Sequence, residues 1–105
     1  MADLSFPMTT KLAGVSYEQK NIERAVSHGS TYELHREPQN KFDKNAILVT
    51  ANHYRIGYIP KDLAQGLAPI MDMGAEIRAL FVRKNVSSTV ENPMVGVTIQ
   101  LFRRG

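Results

Sequence analysis

The apolar residues of this chain come in short runs, and Gly, Pro, Asn or Asp cuts each run off within a few positions. Runs this short, alternating apolar with polar, favour half-buried strands over long amphipathic helices. Thr31–Arg36 sets Tyr32, Leu34 and Arg36 on one side and Thr31, Glu33 and His35 on the other. Ala46–Thr50 is apolar and partly β-branched, as a buried strand would be. Asn52-His53 reads as a hairpin tip, and Tyr54–Ile59 as the returning strand. Leu12–Tyr17 reads as a strand in which Gly14 marks a bulge or a close backbone approach. The eleven residues before it carry no clear pattern. Glu76–Arg83 alternates, Lys84–Asn92 reads as a polar loop, and Val95–Phe102 is a last strand with Val97, Ile99 and Leu101 on one face.

Two stretches carry a helical period instead. Asn21–Val26 forms a turn that places Ile22 and Val26 together. Pro60 stops the preceding strand and suits a helix start, so a helix is expected over 61–73, with Leu63, Leu67, Ile70 and Met71 on one face. Pro69 should bend or split that helix, and Gly74 should end it. The expected fold is mostly β: a small OB-like or SH3-like β-barrel of five to six strands with one main α-helix at 61–73. Periodicity does not choose between those two barrels.

A length of 105 residues fits one domain, taken as 1–105 with a patterned core over about 12–102. The chain has no Cys, which excludes disulfides, thiolate metal sites and a thiol nucleophile. No run approaches the roughly 18 apolar residues of a membrane helix, and Met1–Lys11 lacks the pattern of a secretory signal. The expectation is a cytoplasmic monomer with no membrane partner, nucleoid-associated if the source is bacterial. With 13 Lys and Arg against 10 Asp and Glu, the net charge of +3 permits a polyanionic partner without requiring one.

The sequence offers little for catalysis. His28, His35 and His53 share no metal-ligand spacing, and there is no P-loop, nucleophile elbow or dinucleotide fingerprint. Glu37 and Asp43 flank one loop and could hold Mg²⁺, but two loop carboxylates read more simply as a turn aspartate and a solvated glutamate. A non-enzymatic protein without cofactor is expected. The loop from Arg36 to Asn45 stands out, because Phe42 lies among Arg36, Lys41 and Lys44. Single-stranded nucleic acid needs such a mixture, a ring for base stacking and cations for phosphates. The same residues also suit a tight loop capped by Asn and Asp, with Phe42 turned into the core.

The stretch Leu34-His35-Arg36-Glu37-Pro38-Gln39-Asn40-Lys41-Phe42-Asp43-Lys44-Asn45-Ala46-Ile47 resembles the signature of the HIRAN domain family, R-[ED]-P-x-N-x-[YF]-D-x-N-A-I. A second run, Ile56-Gly57-Tyr58-Ile59-Pro60-Lys61-Asp62-Leu63-Ala64, resembles the family's I-G-[YH]-[VIL]-P-x-x-[LI]-A, and Gly14-Val15-Ser16-Tyr17 its early G-V-x-[YF]. The resemblance runs from about Leu12 to Val82, in the family's order. It implies an OB-like barrel that binds single-stranded DNA at a free 3′-hydroxyl end, with repair or replication proteins as further partners. By that resemblance Asp43 accepts a hydrogen bond from the terminal hydroxyl, and Asn40 bonds sugar or base. Tyr17 and Phe42 stack on the last bases, Lys61 neutralises a phosphate, and Tyr58 lies near the pocket. Arg36, as a cation of the loop, is counted with these as a nucleic-acid-binding residue. Ser16 stands where the eukaryotic end-binder has an arginine, Phe42 where it has tyrosine, and Lys41 where proline is usual. The alternative is a protein-interaction adaptor that keeps the fold without the pocket, which Ser16 and the modest charge favour. Separately, the simpler reading of Tyr17 and Phe42 is as plugs of the core.

Overall fold

The computed structural model describes residues 4–87 and 93–104. Six strands and two α-helices follow in the order β1 (Met8–Lys11), α1 (Gln19–Ala25), β2 (Tyr32–Arg36), β3 (Ile47–Ala51), β4 (Tyr54–Tyr58), α2 (Lys61–Asp72), β5 (Glu76–Val86) and β6 (Val95–Arg104), with a 3-10 turn at Val15–Tyr17. The strands form two antiparallel three-stranded sheets, β1-β6-β5 and β2-β3-β4. The fold is therefore mostly β with two helices. Between the named strands of the two sheets the hydrogen-bonded ladder is not continuous around a ring; an isolated bridge, Ala13 to Tyr58, joins them.

The patterned runs form where expected. Tyr32 is buried on β2, and all of β3 is buried. Asn52 and His53 both have positive φ, which turns β3 tightly into β4. Ile22 and Val26 are buried beneath α1, and Val97, Ile99 and Leu101 are fully buried on β6. These side chains join Leu12, Ile47, Val49, Ile56 and Leu67 in one core between the sheets and helices.

Three expectations change. The early strand lies at Met8–Lys11, not at Leu12–Tyr17, because Gly14 takes a left-handed φ of 71° and starts the 3-10 turn that carries Tyr17. Leu12 and Ala13 keep only local pairing, to Val97 and Tyr58. α2 also runs unbroken to Asp72 through Pro69. Pro69 and Gln65 both lie on its exposed side, so water can reach the carbonyl that Pro69 leaves without a donor. α2 then stops as expected, with Gly74 N–H bonded to the Met71 carbonyl. Finally, β5 continues to Val86 through the segment read as a loop, while the rest of that loop, 88–92, lies outside the described residues.

Gly57 holds the sheets together. A Cβ there would lie 2.8 Å from the Ala13 carbonyl oxygen and 3.2 Å from the Leu12 Cβ. Only glycine lets β4 approach close enough for Ala13 and Tyr58 to exchange two backbone hydrogen bonds of 2.8 Å.

Candidate functional site

The loop between β2 and β3 is rigid because its own side chains satisfy its backbone. Asn40 Oδ1 accepts from Phe42 N–H at 2.9 Å and Asp43 N–H at 3.1 Å. Asp43 Oδ1 accepts from Asn45 N–H at 2.9 Å. Glu37 and Ala46 close the loop across its base with a backbone bond of 3.0 Å. These are the local Asn and Asp turns the sequence offers, and they hold Phe42 outward.

Phe42 is 92% exposed and Tyr17 is 88% exposed, so neither plugs the core. A large ring left in water on an ordered loop forgoes roughly 1.5–3 kcal/mol of burial. Beneath Phe42 opens a cavity of about 410 Å³ lined by Ala13, Asn40, Phe42, Asp43, Ala46, Tyr58, Ile59 and Lys61. Five of the seven expected site residues thus meet at one place. Asp43 Oδ2 accepts no hydrogen bond among the described residues, which leaves it open to a donor. Lys61 is the exposed first residue of α2, and no side chain caps that helix start. Its charge and the helix's positive end add at one rim of the cavity.

The structure places the other two differently. Tyr17 lies outside the lining, on the 3-10 turn that follows the cavity wall at Ala13. Arg36 also lies outside it and has its donors engaged. Its Nε and Nη2 bond Asp72 at 2.9 and 3.1 Å, and Nη1 and Nη2 bond the carbonyls of Ala46 and Lys44 at 2.8 and 3.0 Å. Arg36 therefore clamps the loop to the end of α2. The guanidinium holds the solvent-exposed Asp72 carboxyl below the usual carboxylate range.

A polar relay that the sequence did not reveal supports the site. Arg55 bonds Glu18 Oε2 at 3.3 Å through Nε and Tyr58 Oη at 3.0 Å through Nη2. Tyr58 donates to Glu37 Oε1 at 2.7 Å, and the same oxygen accepts from Asn40 Nδ2 at 3.1 Å. The relay ties Glu18, next to Tyr17, to Asn40, which sets the loop. Glu37 is thus a structural acceptor, not a solvated glutamate. Partial burial pushes its carboxyl up, but hydrogen bonds from Tyr58 and Asn40 and the nearby Arg55 and His35 outweigh this and hold it below the usual range. Burial and the bond to Glu37 push the Tyr58 phenol up. Glu18 and Arg55 lie outside the signature runs, and nothing in the local pattern pairs them. Among the described residues no three His, Asp or Glu side chains gather as a metal site would need.

The chain is similar to known proteins in sequence and in fold. The profile of the HIRAN domain matches residues 7–100. A 48-residue stretch is 48% identical to the helicase-like transcription factor of Oryctolagus cuniculus, over 45% of this chain and 5% of that protein. A 72-residue stretch is 36% identical to a Fanconi-associated nuclease 1 homolog of Oryza sativa subsp. japonica, over 65% of this chain and 7% of that protein. The matches thus span less than a tenth of the length of either relative. The crystal structure of the HIRAN domain of human HLTF superimposes with a TM-score of 0.66 at 26% identity, covering 92% of this chain and 75% of that one. A protein of Lactobacillus plantarum shares the fold, with a TM-score of 0.63 at 24% identity over 90% of this chain and 91% of that one.

Proposed function

This chain belongs to the HIRAN domain family, and from that premise we propose that it is a nucleic-acid-binding module that takes the free 3′-hydroxyl end of single-stranded DNA. The observation that carries this reading is the exposed Phe42 standing over a cavity that holds the open oxygen of Asp43 and the charge of Lys61. In this reading the last base stacks on Phe42. The terminal hydroxyl donates to Asp43 Oδ2, and the phosphate before it faces Lys61 and the start of α2. A carboxylate favours a hydroxyl donor and repels a phosphate, so Asp43 rejects internal nucleotides and phosphorylated ends. Tyr17, held beside Glu18 at the end of the relay, offers a second ring to the strand. The module binds without turnover, as a monomer, in DNA repair or at replication forks. A two-sheet core joined at Ala13 and Tyr58 is consistent with a partly open OB-like barrel.

Fluorescence anisotropy with matched oligonucleotides, one ending in a 3′-hydroxyl and one in a 3′-phosphate, tests the reading. Tighter binding of the hydroxyl end by the wild type, lost in Asp43→Ala with residual affinity retained, is the expected result. Equal weak binding of both ends would leave only generic electrostatics, and no binding would favour a protein-interaction adaptor. Lys61→Ala should weaken all ends alike and lower the salt dependence by about one phosphate contact.

A further inference from the structure

The end-binding cavity uses one face of the molecule and leaves the outer face of β1-β6-β5 unused. With Val97, Ile99 and Leu101 pointing into the core, the alternate positions of β6 and their cross-strand partners lie on the opposite face of the sheet, where the outer strands expose Thr9, Lys11, Arg78, Leu80 and Arg83 and the central Thr98 is buried among them. The register sets Lys11, Thr98 and Arg83 in one row, Thr9, Gln100 and Leu80 in the next, then Phe102 beside Arg78, then Arg104 beside Glu76. Among the described residues this face carries four cations against one carboxylate, whereas the rest carry nine cations against seven carboxylates. The cationic excess is therefore proportionally greatest on this sheet face.

The row nearest the cavity carries the available charge. Glu76 bonds Arg78 at 2.7 Å and approaches Arg104 at 3.9 Å, so the far end is partly neutralised. Lys11 has no ion pair among the described residues. Arg83 is aimed by a neutral relay: its Nε bonds Asn85 Oδ1 at 3.2 Å, and Asn85 Nδ2 bonds Thr98 Oγ1 at 2.7 Å. No carboxylate takes part in that relay. Two strand spacings separate Lys11 from Arg83, about 10 Å, near the ~12 Å width of a duplex major groove. Lys11 also lies two residues from Ala13, which lines the end-binding cavity.

We propose that this sheet face is a second DNA-contact surface that holds the phosphate backbone of duplex DNA, with Lys11 and Arg83 meeting phosphates on either side of one groove. Duplex is favoured over single strand because it carries the denser charge, and because the ring on this face, Phe102, is half-buried and unavailable for base stacking. The choice of polyanion rests on the nucleic-acid reading above; the surface itself is independent of Asp43 and Phe42. Contact is to phosphates alone, so binding is indifferent to sequence.

The test compares a blunt duplex carrying 3′-phosphates on both strands with a short single strand ending in a 3′-hydroxyl. The expected result is salt-dependent binding of the blocked duplex by the wild type. The double variant Lys11→Gln/Arg83→Gln should bind that duplex roughly tenfold more weakly, with a log–log salt slope lower by about two. Its binding of the single strand should not change, and Lys11→Arg/Arg83→Lys should retain duplex binding, which separates lost charge from lost folding. Failure of the wild type to bind the blocked duplex, or equal binding by the charge-neutral variant, would overturn the proposal. Equal weakening for both probes would also overturn it, by placing these cations in the end-binding site. A wild type that holds the duplex through Lys11 and Arg83 but ignores the single strand would sink the end-binding reading and leave this surface standing.

Discussion

At the scale of single residues, Arg36 and Phe42 have opposite roles from those their burial-blind chemistry implies. Arg36 is a cation among nucleic-acid-binding residue types, yet its side chain is only 15% exposed and is engaged by Asp72 and two carbonyls. Arg36→Ala should therefore destabilise the fold by about 1–3 kcal/mol, through lost charge-assisted bonds and orphaned carbonyls. Arg36→Lys should recover little of it, since an ammonium cannot reproduce the fork. Urea unfolding checks both. Phe42 is an apolar ring that behaves as surface. Phe42→Ala should leave the unfolding free energy from urea titration within about 0.5 kcal/mol of wild type while weakening single-strand binding by about 1–3 kcal/mol. Glu37 carries the pH dependence of the loop. Its folded-state carboxyl is held below the usual range, so its stabilisation is present above the ordinary glutamate range and is lost as pH falls through the folded value. Glu37→Gln should flatten that acid loss, followed by thermal melting across the acid range.

At the scale of elements, local pattern predicts a strand or helix until a single residue changes its register. A bulge between Phe81 and Arg83 shifts β5 by one position, so Arg83 and Asn85 join the face of Arg78 and Leu80. Simple alternation would have put Val82 and Lys84 there. The matching irregularity in β4 lies between Gly57 and Arg55 and leaves Ile56 fully buried. Gly57→Ala should cost about 1–3 kcal/mol, because the new Cβ would meet the Ala13 carbonyl at 2.8 Å. Hydrogen exchange should show early opening of the Ala13 and Tyr58 amides in that variant, ahead of the β3 amides. In α2, Pro69 is tolerated because it falls on the wet side, a fact set by which face Leu67 and Ala68 bury.

At the scale of the whole molecule, two sheets meet at Ala13 and Tyr58, and the candidate site lies at that seam. No helix among the described residues is long and apolar enough to cross a membrane. A polar relay from Glu18 through Arg55, Tyr58 and Glu37 to Asn40 spans the seam, so Arg55→Ala should weaken strand binding without touching the strand. The fall should match loosening of the 37–46 loop in hydrogen exchange, with the unfolding free energy from urea titration changed by about 1 kcal/mol or less. Local pattern was enough for the strands read at 31–36, 46–50 and 95–102, which the structure has at Tyr32–Arg36, Ile47–Ala51 and Val95–Arg104, and for the hairpin at Asn52-His53, the start and end of α2, and the self-capping of the loop. Each of these depends on neighbours within a few residues. Meeting of Asn40, Phe42, Asp43, Tyr58 and Lys61 was legible only through the family signature, because they come from two runs with no local reason to touch. Tertiary structure alone decided that Arg36 is a clamp, that Phe42 and Tyr17 face water, that Glu18 pairs with Arg55, and that Lys11, Arg78, Arg83 and Arg104 share one sheet face. Those outcomes depend on contacts between residues tens of positions apart, where burial and register, rather than residue type, set what each side chain can do.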